Sequence, residues 1–334
     1  MSYYILPKKN NNLSLNLTLQ KEQTFEISNS IFFYIKSLKL ELLTYISLDE
    51  LKQIKKNIFS YNDLLNNNFC SIHTSIDFFI YVELLKISIF SDIYKKINII
   101  YCDDIIYNSF IYTNKNIIFK NTKLIPINKK EFDILCFNII TKDKNYDYLL
   151  NFLSILCKLL YYQTNDGGCI IKIYELNYKP IIDIIYILNN FYEKVYIIKP
   201  NTSNSINKER YIVCKHMKII DRDKYYIFFN KVYTDFLENK KPIFSLLSDE
   251  LPYYFINKIE DSNLGIGNLM IEQLDLLISI INENCSIEKI ENIKSNNLNK
   301  CILWCEKYKI PFKTHEKNIF INENISNDII QVKI

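Results

Sequence analysis

Glycine is nearly absent from this chain: four residues in 334, two of them the adjacent pair Gly167 and Gly168. That scarcity leaves little room for the glycine-rich loops that let a backbone close on a phosphate or a nucleotide. Proline (seven), tryptophan (one) and alanine are also scarce, while Ile, Asn, Lys, Tyr and Phe are used heavily. A very AT-rich coding sequence forces this bias, so a single lysine or asparagine carries less information here than usual. Strong net charge is missing too. The balance of 41 basic and 37 acidic side chains gives +4, too even to announce nucleic-acid binding through bulk electrostatics. No signal-peptide pattern appears at the N-terminus, and no apolar run is read as reaching the roughly 20 residues of a membrane span. The expected location is therefore the cytoplasm, or a particle assembled there.

What is present is apolar: 49% hydrophobic residues, enough for a large core. Nine cysteines are scattered, odd in number and mostly set in apolar segments, which reads as buried thiols in a reducing compartment. Cys301, Cys305 and His315 are weighed as metal ligands, but a four-residue step within a helix and a missing fourth ligand favour packing, and no metal is expected.

Along the chain, residues 1–27 read as a loose tail and 28–74 as a helical segment, with Ser47 and Glu50 at capping-box spacing. A helix at 75–90, apolar almost all round, should be buried. Strands are expected at 97–102 and 131–140, with one or two short strands in the weakly patterned 107–127. A helix at 146–162 then leads to strand 169–176, helix 180–192, and strands 195–199 and 210–215. Pro180 suits a first helical turn, where its missing N–H costs nothing. Strands alternating with helices imply a parallel sheet covered on both faces, and the last two strands read as an antiparallel hairpin at its edge. Everything after Asp221 reads helical, a cap over 221–334.

The stretch from Gly167 to Lys215 carries the chemistry. Lys172 is the single charge in the apolar run CIIKIY, and a lysine there costs several kcal/mol to desolvate unless it is paired or reaches a cleft, roughly the scale for a buried charge. It reads either as a catalytic amine or as a structural lysine paired with Glu209 or Glu175. Thr202, Ser203, Asn204 and Ser205 form a polar loop, and Lys208, Arg210, Lys215, His216 and Lys218 a basic run able to touch phosphates, though a solvated face has the same composition.

With its twin glycines, lysine-bearing strand, helix, KPNTS phrase and Glu209 before RYIVCK, the segment from Gly167 to Lys218 resembles the FtsJ-like ribose 2'-O-methyltransferases, in particular those of large cytoplasmic DNA viruses. Fainter likeness covers TSIDFFIYVELL, EFDILCFN and the helical C-terminal third. The resemblance implies an α/β, Rossmann-like methyltransferase sheet over 75–220, S-adenosylmethionine as cofactor, RNA as substrate, and a capping or transcription complex as partner. It also implies a Lys-Asp-Lys-Glu tetrad that takes the proton from a ribose hydroxyl. Position by position, Lys172 matches the central lysine and Glu209 the glutamate. Asn138 falls at the aspartate, and Ile80 at the first lysine, with Lys86 there only if the register slips. The polar loop Thr202, Ser203, Asn204 with Lys208 and Arg210 would lie near RNA.

The family's glycine-rich cofactor turn should follow INIIYC, but the chain continues DDIIYNSFIY. Asp103 and Asp104 remain as candidate cofactor contacts, with Ile105 and Ile106 filling the space. Three expectations result: a degenerate methyltransferase kept for RNA binding or as a partner of a capping enzyme, an active cap 2'-O-methyltransferase with a divergent pocket, and a virion structural component.

Overall fold

The computed structural model describes residues 2–8, 13–19, 27–47, 75–86, 99–102, 104–113, 118–121, 132–139, 145–174, 176–282 and 286–312. Its strands are β1 (Ser2–Ile5), β2 (Leu15–Leu19), β3 (Ile99–Cys102), β4 (Ile118–Asn121), β5 (Phe132–Asn138), β6 (Gln163–Ile173), β7 (Tyr192–Lys199), β8 (Arg210–Met217) and β9 (Ile243–Leu247). Its helices, numbered here in chain order, are α1 (Asn29–Tyr45), α2 (Ile76–Lys86), α3 (Asp104–Thr113), α4 (Asn145–Tyr162), α5 (Lys179–Phe191), α6 (Arg222–Asn239), α7 (Tyr253–Ile281) and α8 (Ile287–Tyr308).

Seven strands form one sheet in the order β1-β7-β8-β6-β5-β3-β4. The run β4-β3-β5-β6 is parallel, and β8 is inserted antiparallel between β6 and β7. This is the expected Rossmann-like α/β sheet. The hairpin of β7 and β8 is present but does not make the edge, because β1 pairs antiparallel with β7 from Ser2 against Lys199 to Ile5 against Tyr196. The expected loose tail is thus corrected at both ends: β1 completes the main sheet, and β2 pairs with β9 in a separate two-stranded ribbon. SYYI has the aromatic and β-branched content of a strand, but four residues are too short for periodicity to show it.

Side chains of alternate parity separate the two faces. Leu135, Phe137, Cys169, Ile171, Ile197, Ile212 and Cys214 pack with α4, α5 and α6 in the larger core. Ile134, Cys136, Ile170, Tyr196, Tyr211 and Val213 face the other way, onto α2 and α3. Helix α5 begins with Pro180 in its first turn and is buried on nearly all sides, because the sheet lies below it and β9 packs beside it. Its buried Asp183 is satisfied there, accepting from Ser245 Oγ at 2.6 Å and Leu246 N at 2.9 Å. Strand β9 falls within the region read as wholly helical: Ile243, Leu246 and Leu247 fill the core over α5, and tertiary burial outweighs local pattern.

Among the described residues of 107–127, where one or two short strands were expected, lie most of α3 and the strand β4. The helical reading around Ser47 and Glu50 lies mostly outside the described residues. Helix α7 corrects the reading of apolar runs, since by length and composition it is sufficient to cross a membrane. Here its stripe Ile266, Met270, Leu274 and Leu277 packs on Ile31, Ile35, Leu38 and Leu42 of α1. Gly267 allows the close approach, as a Cβ there would meet Ile31 Cδ1 at 2.4 Å.

Gly167 has an equally local reason. A Cβ on it would lie 2.8 Å from the Asp133 carbonyl oxygen, where the register of β5 against β6 shifts.

Candidate functional site

The carboxyl ends of β5 and β6 carry Asn138 and Lys172, which are register partners on adjacent parallel strands. Both extend the parity of Ile134, Cys136 and Ile170, so they project toward α2. The chain enters β8 beside them, which brings Glu209 to the same place. Lys172 Nζ lies 3.4 Å from Glu209 Oε2 and 3.1 Å from Asp77 Oδ1, a residue in the first turn of α2. It also stands over the Tyr211 ring at 5.9 Å from the centroid. Lys172 is buried, with 8% of its surface exposed. Burial alone would pull its pKa down, but Glu209, Asp77 and Tyr174 outweigh that and hold it above the ordinary lysine value.

Ile80 lies one turn along α2 from Asp77. It is fully buried with Ile106, Ile134 and Ile170, so no cation stands there to push the Lys172 proton off. Lys86 is no substitute. Its Nζ donates to the Tyr308 carbonyl at the far end of α2 and lies 5.0 Å from the Tyr112 ring centroid.

The KPNTS loop is built inward. Fully buried Glu83 accepts hydrogen bonds from Asn201 N at 3.0 Å, Thr202 N at 3.0 Å and Thr202 Oγ1 at 2.8 Å. Ser203 Oγ donates to the Pro200 carbonyl at 2.7 Å, and Asn204 N donates to Glu209 Oε1 at 2.8 Å. Below the loop, Lys199 Nζ donates to the carbonyls of Asn204, Asn207 and Glu209 at 2.7, 2.9 and 2.8 Å. Burial lowers the Lys199 pKa to about 7, against the opposing pull of Glu209, with Arg210 and Lys172 adding to the decrease.

The RNA-facing reading of this region is corrected where burial forbids it. Thr202, Ser203 and Arg210 are buried, and Arg210 Nη1 donates to Asn263 Oδ1 of α7 at 2.6 Å. Asn204 turns its backbone amide and its side chain into the loop, the side chain accepting from Ile206 N at 3.0 Å. Lys208 remains partly exposed, its Nζ 4.4 Å from the Phe32 ring centroid on α1.

At the cofactor end, α3 starts at Asp104, two positions after the last residue of β3, and Asp104 opens that helix rather than a turn. Asp103 lies outside the described residues. Ile106 is buried in the cluster below. A glycine cradle needs open backbone next to the strand end, and the described residues at this junction do not fit one. Among the described residues no cluster of metal-ligating side chains occurs. Cys301 and Cys305 pack instead against Phe78, Phe79, Val82 and Trp304, while His315 and Glu175 lie outside the described residues.

Asp77, Glu83 and Lys199 escaped the sequence reading. The signal was available: two acids in a helix otherwise apolar on every side must each find a partner.

A parallel sheet with an antiparallel strand inserted before its last member, and a lysine with carboxylates at the strand ends, defines a Rossmann-like methyltransferase domain. Residues 67–217 match the FtsJ-like methyltransferase family. It is similar to the cap-specific mRNA (nucleoside-2'-O-)-methyltransferase 1 of Drosophila melanogaster, with 34% identity over 71 residues, 21% of this chain and 8% of that protein. The Bos taurus protein of the same name is 28% identical over 153 residues, covering 43% of this chain and 18% of the relative. A probable methyltransferase of African swine fever virus is 34% identical over 105 residues, covering 30% and 24%. The chain thus spans less than a quarter of the length of each of these relatives.

Proposed function

We propose that this chain is an FtsJ-like RNA methyltransferase homologue that has lost catalysis and serves as a protein partner of an active mRNA-capping enzyme. The observation that carries this reading is the Lys172 ammonium, held between Asp77 and Glu209 with Ile80 in place of a second cation. A lysine that must accept a proton from a ribose hydroxyl works best when its pKa falls toward the working pH. Here the local charges move it the other way. The absence of glycine from the sequence between the end of β3 and the start of α3 supports the same conclusion for S-adenosylmethionine.

A silent homologue can persist by holding RNA or by holding protein. Burial of Thr202, Ser203 and Arg210 weighs against RNA. Helix α1 weighs for protein: opposite its buried stripe, Phe33, Leu40 and Leu43 are exposed along one side, Phe33 at 73%. Calorimetric titration with S-adenosylmethionine, paired with methyl transfer to capped RNA, tests the loss of catalysis; neither binding nor transfer is expected. Micromolar binding with turnover would establish the active cap 2'-O-methyltransferase instead. Salt-dependent, tight binding of capped RNA by the isolated chain would overturn the protein-partner role.

A further inference from the structure

We infer that Asp77 has taken over the place of the tetrad's strand aspartate, so that the carboxylate partner of Lys172 has moved from the end of β5 to the first turn of α2. The inference rests on the reading of Lys172, Asn138 and Glu209 as tetrad positions. Asn138 and Lys172 are paired in register and share a face of the sheet, so a carboxylate at 138 would lie next to the amine. The asparagine found there carries no charge. A mostly buried ammonium then has Glu209 on one side and needs a second acceptor to offset its desolvation. Asp77 supplies it from above the sheet, its Oδ1 accepting from Nζ at 3.1 Å.

The helix on which the family's first lysine would stand therefore contributes an acid instead, three residues before Ile80. The cluster holds one ammonium and two carboxylates. A further acid at 138 would add repulsion with Asp77 and Glu209 present, yet restore the balance once Asp77 is gone. Asp77 is a positioning residue here: it holds the amine, and no substrate contact is assigned to it.

This opposite sign in two backgrounds is the test. Competitive acetylation of the full chain with acetic anhydride, followed by mass spectrometry at Lys172 across a pH series, reads the neutral fraction of the amine. Asp77→Asn should raise Lys172 labelling below its pKa, by about tenfold for each unit the pKa falls. Asn138→Asp alone should lower the urea midpoint. The double variant Asp77→Asn/Asn138→Asp should return both the labelling profile and the midpoint toward wild type. A labelling profile for Asp77→Asn that superimposes on wild type, or no recovery in the double variant, overturns the inference. Should Asp77→Asn fail to fold, Asp77→Glu keeps the charge and should label as slowly as wild type; labelling at the rate of an exposed lysine overturns it equally. Methyl transfer by the wild-type chain would sink the retired-catalyst reading and leave this one intact, because acetylation reports the amine and not turnover.

Discussion

Glu83 grips Thr202 twice: its Oε2 accepts from the Thr202 backbone amide at 3.0 Å and from the hydroxyl at 2.8 Å. A buried carboxylate in the middle of an apolar helix is tolerated because the turn after β7 points three donors at it. The turn in turn fixes Asn204, whose amide holds Glu209. Replacing Glu83 with Ala leaves those donors buried and unmet, and should cost about 3 kcal/mol on the scale of removing one partner of a buried charged network. Thr202→Val removes one hydroxyl and should cost about 1 kcal/mol. Urea unfolding of both variants measures the difference; equal, small losses would mean the clamp does not hold the loop.

Arg210 gives the second prediction. Its Nη1 bonds Asn263 of α7, whose Nδ2 donates to the Leu176 carbonyl at 2.9 Å. The cation thereby ties the sheet to the C-terminal helices. Arg210→Ala should destabilise the chain by about 3 kcal/mol, as for other buried charged groups whose partner is lost, while leaving any affinity for capped RNA unchanged. A large fall in RNA affinity at unchanged stability would return Arg210 to an RNA-facing role.

Two lysines that both contact Glu209, Lys172 through its carboxylate and Lys199 through its backbone carbonyl, have pKa values moved in opposite directions; Lys172 is raised by its carboxylates and Lys199 is lowered to about 7 by burial. In the unfolded chain both return to about 10.5. For Lys199 the folded state binds fewer protons between about 7 and 10.5, so its contribution to stability increases as pH rises through that window. For Lys172 the stabilisation is fully present below 10.5 and is lost as pH rises through its higher folded value. Urea midpoints from pH 6 to 10, roughly spanning the Lys199 window, should therefore climb in wild type more than in Lys199→Met. A flat wild-type profile, or an identical slope in the variant, would show that Lys199 stays charged throughout.

The parts of this fold that were legible in the sequence share a cause. Helix α5 and strands β6 to β8 are long, apolar and bounded by Pro180 and the KPNTS turn, so pattern and burial agree. Lys172 stood out because it interrupts such a run. What escaped was set by contacts distant in sequence: β1 against β7, β9 over α5, Asp77 on Lys172 across 95 residues. Genome-driven use of lysine and asparagine then made surface and buried examples look alike. Arg210 read as a member of a basic run and is instead an interior support, as is Lys199, which the sequence did not single out.

Strand β1 offers a direct check on one of those distant contacts. Tyr4 lies on the side of β1 that faces α7, and a Cβ at Gly265 would meet its hydroxyl oxygen at 1.9 Å. The tyrosine ring is rigid about two torsions, so it cannot yield as a methionine would. Gly265→Ala gains helix propensity of up to about 1 kcal/mol but should displace Tyr4 at an overpacking cost of about 1–3 kcal/mol. The displaced strand should lose ladder hydrogen bonds to β7, against which Tyr3 and Tyr4 lie in register with Ile198 and Ile197. Hydrogen exchange should therefore accelerate in residues 2–5 of the variant, with β6 and β8 protected as before. Unchanged protection in β1 would mean that Tyr4 finds another rotamer and that the glycine is there for the helix alone.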